Sequence, residues 1–157
     1  MGLLIRSLIE DSLVEELEDR LKGEFNMAGG EAFSRAVDLA QVTWSCCGIV
    51  GPEDYNASLW RRDEREDGGL VVPLSCCILN QPQSYLSPVP KHLGKCQNVS
   101  SPAQAPTRHL EVQNVLSRYP PIISYGMKYS VQGCSSSILL WAGTQDLEVV
   151  VVALGGR

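Results

Sequence analysis

Six side chains carry most of the chemistry this sequence offers: Cys46, Cys47, Cys76, Cys77, Cys96 and Cys134, four of them in two adjacent doublets. Cysteine can cross-link, hold a metal or act as a nucleophile, and spacing discriminates among the three. A zinc site is set aside because no Cys-x-x-Cys pair exists and only His92 and His109 are available beside the cysteines. Thiolate catalysis is set aside too, since doublets in an even-numbered set cross-link more often than they catalyse. No phosphate loop and no serine elbow is present, so no catalytic, cofactor-binding or metal-binding residue is expected, and no cofactor. Disulfide bonding remains, and an even count favours an oxidised framework. Neighbouring α-carbons sit about 3.8 Å apart, whereas a disulfide wants roughly 4.4 to 6.8 Å. Cys46 and Cys47 must therefore choose different partners, and so must Cys76 and Cys77. Those two exclusions remove about a third of the pairings that six cysteines allow and leave the rest open.

Two further sites are covalent acceptors. Asn56-Ala57-Ser58 and Asn98-Val99-Ser100 are N-glycosylation sequons without a central proline, both expected in loops and both usable only if the chain passes through the secretory pathway.

The elements that must position these groups follow from periodicity. Over residues 8–25, Leu8 or Ile9, Leu13, Leu17, Leu21 and Phe25 recur at helical spacing, with Glu10, Asp11, Glu15, Glu18 and Asp19 largely between them. That pattern predicts an amphipathic helix with a solvated acidic face. Met27 to Gly30 breaks it, and a second helix is expected over 31–45, with Phe33, Val37, Ala40 or Gln41, and Trp44 on one stripe. The two should pack as an antiparallel hairpin and supply most of the core. Gly48, just beyond the helix, is suited to the left-handed position that satisfies its last carbonyls.

Farther on, 51–55 reads as a turn and 61–67 as a mixed-charge, solvated stretch ended by Gly68-Gly69. Pro73 fixes the backbone ahead of the second doublet. Residues 81–121 are rich in Pro, Ser and Gln, which predicts an irregular region with a short helix near 109–116. Apolar residues return at Ile138 to Trp141, predicting a last helix that runs into 147–154 and is weakened by Gly143.

At 157 residues the chain is expected to form one domain, and a formal charge of −5 argues against a nucleic-acid surface. The first residues are not expected to act as a signal peptide, because Arg6 cuts the apolar run short and Glu10 and Asp11 soon follow, nor as a myristoylation site, because Arg6 stands where that motif wants Ser or Thr. Residues 147–156 are apolar except for Glu148, and are fewer than the roughly 20 residues a membrane span requires. Disulfides require the secretory route, so the expectation is either the luminal part of a longer membrane protein or a truncated product whose cysteines stay reduced.

Cys46-Cys47-Gly48, then Pro73-x-Ser75-Cys76-Cys77, then Gly133-Cys134, framed by a helical hairpin and a final helix, resembles the large extracellular loop of a tetraspanin. The resemblance implies an all-α fold: a disulfide-stapled helical stalk, made of the two-helix hairpin and a C-terminal helix, carrying an irregular variable subdomain. On that pattern 1–157 is one loop domain, with 8–45 the hairpin, 46–134 the disulfide-linked variable region, and 135–157 the last helix and the start of a membrane span. It also implies the pairs Cys46 with Cys134, Cys47 with Cys76, and Cys77 with Cys96. The interval from Cys96 to Cys134 is longer and richer in proline than the usual pattern.

For function, the resemblance implies a non-enzymatic organiser in the plasma membrane, with this domain extracellular. Its partners would be other membrane proteins, such as integrins or membrane-bound metalloproteases, and other tetraspanins. The segment from about 78 to 132 would choose among them. The rival expectations are the truncated product, acting as a soluble decoy or not at all, and a small secreted hydrolase, for which no catalytic constellation is found.

Overall fold

A computed structural model describes residues 2–66, 69–81, 84–97 and 133–144. The fold is all-α, and strand-like pairing among the described residues is confined to one isolated antiparallel bridge, Leu79 with Pro90. Helix α1 spans Gly2–Glu24 and α2 spans Glu31–Trp44. A 3-10 helix, Pro52–Ala57, leads into α3, Leu59–Glu66. A 3-10 turn at Leu74–Cys76 carries the second doublet, α4 is the short Leu93–Gln97, and α5 is Ser135–Thr144. The helix expected near 109–116 and the continuation of the last helix through 147–154 lie outside the described residues.

The stripe of α1 is buried at Val14, Leu17, Leu21 and Phe25, whereas Leu8 and Ile9 are exposed and Leu13 is only half-buried. The seam is therefore rotated from Leu13 toward Val14. On α2 the buried positions are Phe33, Ser34, Val37, Gln41 and Val42, and Trp44 is half-buried.

The hairpin does not supply most of the core by itself. Phe25, Tyr55 and Trp60 form a trio of edge-to-face rings with centroids 5.3, 5.6 and 5.5 Å apart. Tyr55 ends the stretch expected to be a turn and Trp60 directly precedes the charged run, and both are buried. The expectation of a solvated 61–67 holds at Arg62 and Asp63, which are exposed, and is corrected at Arg61. Residues 59–66 are helical and Arg61 is buried, with its guanidinium Nη1 donating to the Leu70 carbonyl at 3.0 Å. A run of charge hid an element that buries the Trp60 indole and the stem of Arg61.

The end of α2 also departs from expectation. Ser45, at φ 54°, takes the left-handed capping position, and its N–H donates to the Gln41 carbonyl. Gly48 lies beyond the cap. Its φ of +71° and the carbonyl of Gly51, which a β-carbon would strike, both require glycine there.

Candidate interaction surface

The residues singled out for chemistry converge on one knot beneath an exposed segment. Cys46 bonds to Cys134, Cys47 to Cys76 and Cys77 to Cys96, with α-carbons 5.1, 5.1 and 5.8 Å apart. All six cysteines are buried. The first bond spans 88 residues and ties the end of α2 to the start of α5. Backbone bonds reinforce that joint: Cys134 N–H donates to the Gly48 carbonyl at 2.9 Å and Ser135 N–H to the Ile49 carbonyl at 2.8 Å. Gly133 lies against the Ile49 and Val50 backbone so closely that a β-carbon would collide with it.

Around the cysteines lies a polar network that centres on Gln41, which is completely buried. Its Oε1 accepts from the Gly48 N–H and the Tyr55 hydroxyl, each at 2.8 Å, and its Nε2 donates to Ser75 Oγ at 2.7 Å. Ser75 in turn donates to Asp38 Oδ1 at 2.6 Å. One side chain thus holds the Cys-Cys-Gly turn, the 3-10 helix and the Ser-Cys-Cys turn in register. Burial pushes the Asp38 carboxyl up to about 6, against the lowering effect of the Ser75 hydrogen bond. Burial also raises Tyr55 well above the usual phenol range, with help from Asp38 and Asp54.

Asp54 organises the turn that follows Gly48. Its Oδ2 accepts from the N–H groups of Ile49, Val50 and Gly51 at 2.8, 2.9 and 3.4 Å. Burial nonetheless holds this carboxyl above its ordinary value, those three hydrogen bonds acting the other way. Glu18 is raised as well, first by burial and then by the charge of Asp54.

The segment from Ile78 to Gln97 sits on this base and is anchored at both ends. Cys77 is bonded to Cys96 at its close. Asn80 N–H donates to the Val89 carbonyl and Lys91 N–H to the Ile78 carbonyl, at 2.9 and 2.8 Å, so its two arms run antiparallel. Gln97 adds a clasp: Oε1 accepts from the Val71 and Val72 N–H groups, and Nε2 donates to the Val72 carbonyl at 2.9 Å. Above that base Leu86, Val89 and Leu93 are exposed.

Of the two sequons, the structure places Asn56 exposed on the 3-10 helix rather than in a loop, and Asn98 lies outside the described residues. Ser58 of the first sequon is buried. Its Oγ donates to the Tyr55 carbonyl at 2.8 Å and accepts from the Arg61 N–H at 3.1 Å, the bonding of a helix N-cap for α3. That serine has a structural reason to be there whether or not Asn56 carries sugar.

This framework has counterparts among known proteins. Tetraspanin-17 of Caenorhabditis elegans is 28% identical over 101 residues, covering 59% of this chain and 32% of that protein. CD151 antigen of Macaca mulatta is 39% identical over 69 residues, covering 44% of this chain and 27% of that protein. The chain is related to the tetraspanins. Tetraspanin-17 of Homo sapiens adds a match of 38% over 56 residues, covering 32% of this chain and 20% of that protein. The tetraspanin-like chain thus spans about a third or less of the length of these relatives. No family profile matches it, and no solved structure matches it significantly. Among the described residues no helix is long and apolar enough to cross a membrane.

Four residues that build the site were not expected from the sequence as functional: Asp38, Gln41, Asp54 and Gln97. Gln41 left a trace, because a glutamine on an otherwise apolar helical stripe must be hydrogen-bonded when buried. The others left none.

Proposed function

We propose that this chain is the extracellular loop of a non-enzymatic organiser of membrane proteins, acting at the plasma membrane. In this proposal 1–157 is one domain, in which the hairpin 8–45 and the helix from 135 form the stalk and 46–134 carries recognition. The observation that carries it is the segment 78–97, held at both ends by a disulfide and a side-chain clasp while Leu86, Val89 and Leu93 stay exposed. A frame of that kind fixes shape without using the displayed residues for the core, which is what a variable contact surface needs. Kinship with tetraspanins supports the same reading. Integrins, membrane-bound metalloproteases and other tetraspanins are the partners to test first. Asn56 and Asn98 are proposed as glycosylation sites.

The test is a segment exchange in the domain displayed at the cell surface between tetraspanin membrane spans. Residues 84–106 are replaced by the corresponding segment of another tetraspanin, with a cysteine kept at position 96. Proteins co-purifying in mild detergent should change while surface expression stays constant. An unaltered partner set would place recognition elsewhere.

A further inference from the structure

Charge is segregated along this chain. None of its eighteen acidic residues falls within 68–110, which holds Lys91, Lys95 and Arg108, so this segment is formally +3 inside a chain of −5. The described part of that segment displays the basic groups beside apolar ones. Lys91, His92 and Lys95 are exposed, and Leu86, Val89 and Leu93 are 69, 56 and 49% exposed. Val89 and Lys91 are two residues apart on the arm that pairs with Ile78 and Asn80, so their side chains leave the backbone on the same side. The stalk has the opposite character, with Glu15, Glu16 and Asp19 on the outer face of α1. An acidic surface would be repelled by the stalk and drawn to the segment above it.

We propose that the 78–97 surface is a docking site for an acidic patch on a partner protein, with Leu86, Val89 and Leu93 as its apolar contacts and Lys91 and Lys95 as its charge contacts. The proposal rests on the partner-binding function above and names the chemistry of the partner. The two cationic side chains steer the approach and set orientation, while the leucines and valine supply the area removed from water. The Cys77–Cys96 bond and the Gln97 clasp limit the conformational entropy lost on binding.

The experiment pans a random phage-displayed peptide library against the disulfide-intact domain and then measures synthetic copies of the enriched peptides by titration. The expected sequences combine Asp or Glu with apolar residues. Their Kd should rise about tenfold for the Lys91→Glu, Lys95→Glu double variant and for Leu93→Ser. Thermal melts and non-reducing mass spectrometry confirm that both variants keep the fold. The proposal is overturned if no peptide is enriched, if enriched peptides lack acidic residues, or if the variants bind them as well as the parent does. Heparin and phosphatidylserine–phosphatidylcholine vesicles serve as parallel probes. Binding of either through Lys91 and Lys95, without acidic-peptide binding, overturns the protein-partner assignment. If the segment exchange changes the co-purified partners but the double variant retains its own, the function stands and this surface chemistry fails.

Discussion

Replacing Gln41 by leucine removes one buried amide at nearly constant volume and therefore isolates its hydrogen bonding. Two donors lose their acceptor, the Gly48 N–H and the Tyr55 hydroxyl, both in buried residues. Ser75 loses an incoming bond but still donates to Asp38. An orphaned buried donor costs about 1 to 3 kcal/mol, so the substitution should destabilise the fold by about 2 to 5 kcal/mol. Tyr55→Phe alone leaves Gln41 Oε1 bonded to Gly48 and should cost about 1 kcal/mol. In the double variant no tyrosine hydroxyl remains to be orphaned, so the two costs should combine to less than their sum. Urea denaturation of disulfide-intact protein, followed by fluorescence of Trp60 in its aromatic trio, measures all three. Strict additivity, or a loss below about 0.5 kcal/mol for Gln41→Leu, would show that the network does not hold the three segments together.

Two further perturbations follow from the same geometry. The Asp38 carboxyl stands at about 6 in the fold against an ordinary 3.8, so its contribution to stability is fully present below about pH 4 and is lost as pH rises through 6. The loss is about 2 to 3 kcal/mol, and Asp54 and Glu18 are shifted in the same direction. The urea midpoint should thus fall between pH 4 and 7, and Asp38→Asn should flatten much of that fall; a midpoint that rises with pH, or an unchanged slope in the variant, contradicts the burial of this carboxyl. Gly133→Ala forces a β-carbon into the Ile49–Val50 backbone and should cost about 1 to 3 kcal/mol, whereas Gly94→Ala, with open space around it, should change stability by less than about 0.5 kcal/mol. Equal melting temperatures for the two alanine variants would mean that α5 does not seat on the Cys-Cys-Gly turn as described.

The parts of this fold that could be read from the chain are those whose physics is local. Helical spacing from Leu17 to Phe25 and from Phe33 to Val37 is a property of neighbouring residues, so α2 and the end of α1 stand within a residue of their expected bounds, while α1 begins at Gly2 and not at 8. α3 escaped because six of its eight residues are charged, and the buried Trp60 and Arg61 are too few for a periodic signal. The register of the α1 seam, at Val14 instead of Leu13, is set by what packs across it. The same holds for the polar network: Gln41 meets Ser75 across 34 residues, and Gln97 meets Val72 across 25. Such partners are chosen by the fold. The exposed character of 78–97 was foreshadowed by its proline and serine content, but its clasp and its pairing of Ile78 with Lys91 were not.

The wiring of the cysteines bears most directly on whether this chain is a stapled tetraspanin-like loop. In the chain-entropy view, closing the 88-residue separation from Cys46 to Cys134 is worth about 4 to 5 kcal/mol, comparable with the whole stability of a small domain. The separation of 19 from Cys77 to Cys96 closes only the outer segment. Peptide mapping of luminally expressed protein under non-reducing conditions resolves the pairs. The expected peptides join Cys46 to Cys134, Cys47 to Cys76, and Cys77 to Cys96. Free thiols throughout, or Cys46 joined to Cys76 or Cys77, would contradict the scaffold and the surface it displays.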